Sequence, residues 1–367
     1  MSLKKVKLGD VLSYEQPTKY IVKSDSYNDA NEIPVLTAGK SFILGYTNEV
    51  NNVFQDLPVI IFDDFTTAIK YVDFPFKVKS SAMKILKADE KISDVRYLFH
   101  KMSTLKIDKD LHKRYWISKY SQIQIPLPPL PIQKQIAEIL DKVDALRKKD
   151  LEMLKHYDAL AQSLFIDMFG DPVRNEKGWE VKLLGDVCEK ITDGEHINPQ
   201  IVEIGKPLLM AKDILSDGIN FDNYKCVSES DFLKFTKKCK PEKGNLIIVS
   251  RGATIGRCCV VDTDRPFCLM GSTILVKPSE QISSSFLNLL FKNTEVVKTL
   301  TNVSSASAQQ AIYIANLKKF KILTPPTMLQ NQFAEQIKNI ELQKEKVKEQ
   351  IKASENLFQA LLQKMFS

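Results

Sequence analysis

The chain is short of the residues and spacings that most enzymes need. It has 4 histidines, 2 tryptophans and 13 glycines in 367 residues. His100, His112, His156 and His196 form neither an HxxxH nor an HExxH pair, so metal hydrolysis through imidazole has no ligand set. No GxxxxGKS/T phosphate loop and no GxSxG elbow occurs, and GDVCEKITDGEH lacks the strand–glycine–helix order of a dinucleotide site. Asn198-Pro199 is followed by Gln200, so the catalytic tetrapeptide of an amino-methyltransferase is missing. Asp63–Asp64 has no acid–x–Lys partner nearby, and a turn is its plain reading. No CxxC occurs among the six cysteines, five of which fall between Cys226 and Cys268, so reduced core thiols are expected and not a zinc site. No apolar run of membrane-spanning length exists and MSLKKVKLGD is no signal peptide, so a cytoplasmic protein without a membrane partner is expected. What remains is binding. A net charge of +7 permits a polyanionic partner without demonstrating one.

The positive signal is repetition. IPLPPLPIQKQIAEIL at 125–140 returns as ILTPPTMLQNQFAEQI at 322–337. The echo covers the chain in order. VKLGDV at 6–11 returns at 181–187, LPVIIFDDFTTAIKYV at 57–72 returns as GNLIIVSRGATIGRCCVV at 244–261, and SAMKILKADE at 81–90 returns as GSTILVKPSE at 271–280. The offset grows from 175 to 197, so the second copy carries about twenty extra loop residues. A period this long means duplicated domains, not a solenoid. Each copy reads as short strands and turns with one helix, near 93–102 and near 284–300, and ends in a strand and a proline pair. Prolines disfavour both helix and ladder, so they mark the joint between globule and helix.

Each copy closes on a long amphipathic helix. One stripe steps through Ile136, Ile139, Val143, Leu146, Met153, Tyr157, Leu160 and Leu164. The other steps through Phe333, Ile337, Ile340, Val347, Ile351, Phe358, Leu361 and Met365. A heptad stripe cannot be buried by one helix alone. The simplest partner of each is the other, in an antiparallel pair, with Asp150 and Lys344 at polar core positions where they either approach and fix the register or snorkel to solvent. The expected class is α+β: two similar globules, 1–130 and 171–326, separated by helices 131–170 and 327–367 that form an antiparallel coiled coil with pseudo-twofold symmetry.

These features resemble the specificity subunit of type I restriction–modification systems. The resemblance rests on the two PP-x-x-x-Q-x-Q-x-A-E helix starts, on SLFIDMFGDP at 163–172, on LSYEQPTKYIV and IIFDDFTTAIKYVDFPFKVKSSAMKIL in the first copy, and on ITDGEHINP and SRGATIGR in the second. It implies that each globule is a target-recognition domain binding one part of a bipartite, asymmetric site in double-stranded DNA. It further implies that the helices set the unread gap and dock two modification (methyltransferase) subunits, with restriction subunits joining. This chain is then not an enzyme and holds no cofactor; S-adenosylmethionine, ATP and Mg²⁺ belong to the partner subunits. A duplicated coiled-coil adaptor that binds proteins and not DNA is the alternative.

Candidate DNA-contacting residues fall in three pairs of segments. The first lies before the final strand: His112, Lys113, Arg114 and Tyr115 in one copy, Ser304, Ser305, Gln309 and Gln310 in the other. Arginine pairs with guanine and glutamine with adenine, while lysine and arginine also grip phosphate. Trp116 and Tyr313, aligned by the offset, are read as core packing. The second pair is Thr66, Thr67 and Lys70 opposite Arg251, Thr254 and Arg257, and the third is Gln16 and Lys19 opposite His196.

Overall fold

The computed structural model describes residues 4–37, 41–105, 115–302 and 310–366. They divide into two units, 1–151 with 349–367, and 152–348. In the first unit the strand Val59–Asp63 is wholly buried. It pairs antiparallel with Ile69–Val72 on one side and Met83–Ala88 on the other, and Leu12–Glu15 closes the sheet. Side chains alternate across a strand: Ile60 and Phe62 face a core that also contains Tyr97, Leu98 and Trp116, while Val59 and Ile61 face a second core beneath a three-stranded sheet.

The second unit repeats this plan. Leu246–Val249 lies between Thr273–Pro278 and Cys258–Val260, with Cys188–Asp193 at the edge. Much of its extra length goes into the hairpin Ile214–Leu215/Gly218–Ile219 and the helix Glu229–Lys238. The stretch expected as one helix near 284–300 is two, Ser284–Lys292 and Thr294–Asn302. Asn293 takes extended backbone and its Oδ1 accepts from Glu295 and Val296 N–H, so it caps the second helix and ends the first. All six cysteines are free thiols. Burial pushes Cys188, Cys239, Cys258, Cys259 and Cys268 up to about 12, which keeps them protonated and inert.

The long helices run Leu130–Phe169 and Thr327–Phe366, 40 residues each. In the first unit Ala137 and Leu140 share a core with Phe358, Leu362 and Phe366. In the second, Ala161, Phe165 and Phe169 share one with Phe333, Ile337 and Ile340. In each unit the start of one helix therefore meets the end of the other, which is antiparallel packing. The second helix buries its expected stripe, including Phe333, Ile337, Val347 and Phe358. The first buries half of its own: Ile136 and Val143, and Tyr157 and Leu164, pack against the cores of their units, while Ile139, Leu146, Met153 and Leu160 are exposed. The positions that complete the seam beside them include small residues, Ala137 in the core that holds Phe358 and Ala161 in the core that holds Phe333.

Asp150 is buried in the first unit and Lys344 in the second, so neither reaches out to solvent, and within its own unit Lys344 is held by Asp158 at 2.8 Å and Glu341 at 3.0 Å. The first unit contains the same device, Arg147 between Glu355 at 2.5 Å and Asp144 at 2.7 Å. The offset of 197 carries Arg147 to Lys344, Asp144 to Glu341 and Asp158 to Glu355. Burial alone would lower Lys344, and its two carboxylates outweigh that and raise it.

The repeated Gln-x-Gln motif also gains a cause. Gln133 accepts from Asp94 N–H at 2.9 Å and donates to the carbonyls of Ile92 and Pro128 at 2.9 and 2.8 Å. Gln330 accepts from Ser283 N–H at 2.8 Å and donates to Gln281 and Pro325 at 3.1 and 2.8 Å. Both are buried. Asp94 and Ser283 cap the helices Val95–Ser103 and Ser284–Lys292, so each amide side chain bolts a long helix to its globule's own helix.

Candidate nucleic-acid interface

In the first globule three of the segments named from sequence converge. The early loop supplies Tyr14 and Gln16, the 63–68 turn supplies Asp64 and Phe65, and the segment before the final strand supplies Ile117; together they line a cleft of about 690 Å³. Tyr14, Phe65 and Ile117 are exposed on its rim. Lys84 and Asp64 form a buried ion pair at 3.5 Å in its wall, and the Trp116 N–H donates to the other Asp64 oxygen at 2.9 Å. Asp63 accepts from Phe65 N–H and from the Thr66 hydroxyl, which is the turn role expected of it.

Thr66 and Lys70 are exposed, with Lys70 over the Phe42 ring. Thr67 sits at φ 63, a left-handed conformation that costs a β-branched residue about 1–3 kcal/mol. Lys19 is exposed but bonded to Glu15 at 2.7 Å. Burial alone would raise the Glu15 carboxyl; hydrogen bonds from Lys19, Lys87 and Tyr20 outweigh it and hold it at about 2. The Lys19 ammonium has three donors, so it can keep Glu15 and still offer an N–H to a phosphate. Tyr115 and Trp116 are buried in the core. His112, Lys113, Arg114, Ser304, Ser305 and Gln309 lie outside the described residues.

The second globule builds the same hairpin differently. Asp63 N–H bonds to Ala68 O and Thr67 N–H to Asp63 O in the first; Val249 N–H bonds to Arg257 O and Gly256 N–H to Val249 O in the second. Gly256, at φ 83, thus stands where Thr67 does, Arg257 where Ala68 does, and the turn is three residues longer. Gly256 is required there, since an added Cβ would lie 2.5 Å from Val297. Arg257 donates to Ile214 O at 3.3 Å and shares a cleft of about 400 Å³ with Gln310, Lys292 and Lys298. Arg251 is exposed, and its backbone bridges to Ala311. Thr254 is half-buried in the turn. Tyr313, expected in the core beside Trp116's position, is 44% exposed, because Ile312 fills the core instead. His196 is exposed and bonded to Asp193, which also takes Lys238.

Sequence reasoning missed Lys84, Lys292 and Lys298. A lysine in a strand or on a helix carries no signal of what it faces. Among the described residues no cluster of three or more metal-ligating side chains occurs, and no helix is long and apolar enough to cross a membrane.

The family profile for the type I restriction modification DNA specificity domain matches residues 2–156 and again 176–354. The specificity subunit of an Escherichia coli type I restriction enzyme is 52% identical over 151 residues, which is 38% of this chain and 37% of that protein, little more than a third of its length. The specificity subunit of a Methanocaldococcus jannaschii type I restriction enzyme is 28% identical over 323 residues, 78% of this chain and 73% of that one. The crystal structure of an S subunit from M. genitalium superposes with a TM-score of 0.64 at 14% identity, covering 100% of this chain and 96% of the other, a likeness of fold. With a doubled match over nearly its whole length, this chain belongs to the specificity subunits of type I restriction–modification systems, which carry no catalytic centre of their own.

Proposed function

We propose that this chain reads a bipartite, asymmetric site in double-stranded DNA, one short word per globule, and directs partner subunits to it. The observation that carries the proposal is one hairpin built twice with unlike chemistry at its turn: Asp64 and Phe65 in the first globule, Ser250 and Arg251 in the second. Two copies of one scaffold with different polar groups at the same place suit two different words, each read through base edges in the groove.

The helix pair fixes the unread gap between the words. It also offers a docking surface: Ile132, Ile139 and Leu146 in the first unit, and Met153 and Leu160 in the second, are exposed at heptad spacing on the first long helix. Such a stripe suits helices of two modification subunits, with restriction subunits joining the larger assembly. S-adenosylmethionine, ATP and Mg²⁺ would act in those partners.

The test is selection from randomised duplex by the full chain with its modification subunits, at several salt concentrations. A two-part word with a fixed gap, and affinity that falls steeply with salt, is the expected result. No duplex binding at low salt would favour an adaptor for proteins.

A further inference from the structure

The two copies serve as controls for each other. In the first globule Lys84 pairs with Phe62 across the sheet; in the second, Ile274 pairs with Ile248 at the same place. The following residue of the central strand pairing confirms the match, since Asp64 N–H bonds to Ala82 O and Ser250 N–H to Ser272 O. The fold is thus content with isoleucine and serine where the first globule buries lysine and aspartate, with side chains 8% and 7% exposed. Hydrophobic replacement of a buried ion pair is often neutral or stabilising, so the scaffold does not need the lysine; Asp64 serves it only by accepting the Trp116 N–H at 2.9 Å through one oxygen, and the other oxygen faces Lys84.

Nor is it a closed pair. Among the described residues the first globule buries two other lysines, and both are well held: Lys77 by Glu49 at 3.1 Å and Asn51 O at 2.8 Å, and Lys101 by Phe366 O at 3.0 Å. Lys84 has Asp64 at 3.5 Å, beyond a good hydrogen bond, and the Tyr14 ring at 5.5 Å. Among the described residues no closer acceptor holds this ammonium, which has three donors and stands in the wall of a cleft that a ligand can enter.

Resting on the reading of this globule as a DNA reader, we propose that Lys84 and Asp64 recognise one guanine–cytosine pair of the first half-site. In the major groove guanine presents O6 and N7 as acceptors and cytosine presents an N4 donor. A lysine and an aspartate side by side supply the complementary donor and acceptor. Tyr14 and Phe65 on the rim steady the strand that brings the pair in.

The experiment compares the word selected by the wild-type chain, with its modification subunits, with that selected by a Lys84→Ile/Asp64→Ser variant, which installs the second copy's residues. One G·C position in the first half-site should lose its preference, by roughly ten-fold or more, while the second half-site and the gap stay unchanged. A second measurement leaves the protein intact: 7-deazaguanine at that position should weaken wild-type binding about ten-fold and leave the variant indifferent. An unaltered word, or uniform weakening at all positions, would overturn the assignment alone. A wild-type chain that selects no word would overturn the DNA reading with it.

Discussion

At the residue scale, conformational strain and charge decide what each globule tolerates. Thr67 and Gly256 occupy one position of the same hairpin at φ 63 and φ 83. Thr67→Gly relieves left-handed strain of about 1–3 kcal/mol at an entropic cost of about 0.5–1 kcal/mol, so its urea midpoint should be unchanged or higher. Gly256→Ala meets Val297 at 2.5 Å and should lose about 1–3 kcal/mol in the same assay. Glu15 sets an acid limit. Its carboxyl binds a proton more weakly in the fold, at about 2 against an ordinary 4.5, so its contribution to stability is complete above pH 4.5 and is lost as the pH falls toward 2. Urea midpoints from pH 6 to pH 3 should therefore fall less steeply for Glu15→Gln than for wild type; parallel curves would show that the Lys19, Lys87 and Tyr20 bonds do not hold the carboxylate.

At the element scale, the glutamine bolts fix the angle at which each globule leaves its long helix. Gln133→Ala strands the buried Asp94 N–H and the Ile92 and Pro128 carbonyls. Each unsatisfied group costs about 1–3 kcal/mol, so a loss of several kcal/mol in the first unit's urea transition is expected. Gln133→Glu should not rescue it, because a carboxylate cannot donate to the two carbonyls. The doubled Gln-x-Gln motif was legible in sequence because a helix start bound to its globule repeats as a unit. The seam of the first long helix was legible only by half, at Ile136, Val143, Tyr157 and Leu164. Ile139, Leu146, Met153 and Leu160 also fit a heptad, and residue type alone cannot rank them below Ala137 and Ala161, which share the cores of Phe358 and Phe333. The candidate site was legible as segments, since the early loop, the turn and the approach to the final strand meet at one cleft. Lys84 was hidden, because a strand lysine reads as solvated until its sheet partner is known.

At the scale of the whole molecule, the proposed ruler makes a phased prediction. A heptad inserted at matched points in both helices keeps the seam, because the pair repeats every seven residues. It lengthens the helices by ~10.5 Å, equivalent to ~3 base pairs. Three base pairs also carry a half-site roughly a third of a turn around the duplex, away from a globule that has not turned with it. One added heptad should therefore widen the selected gap by ~3 base pairs while weakening binding. Three heptads add ~31 Å, close to the 34–36 Å of one DNA turn, and should restore affinity at a gap about nine or ten base pairs longer. Duplexes with gaps varied one base pair at a time, bound to each insertion variant with its modification subunits, would map the periodicity. If the preferred gap ignores the insertions, the helices are a docking surface and not a spacer.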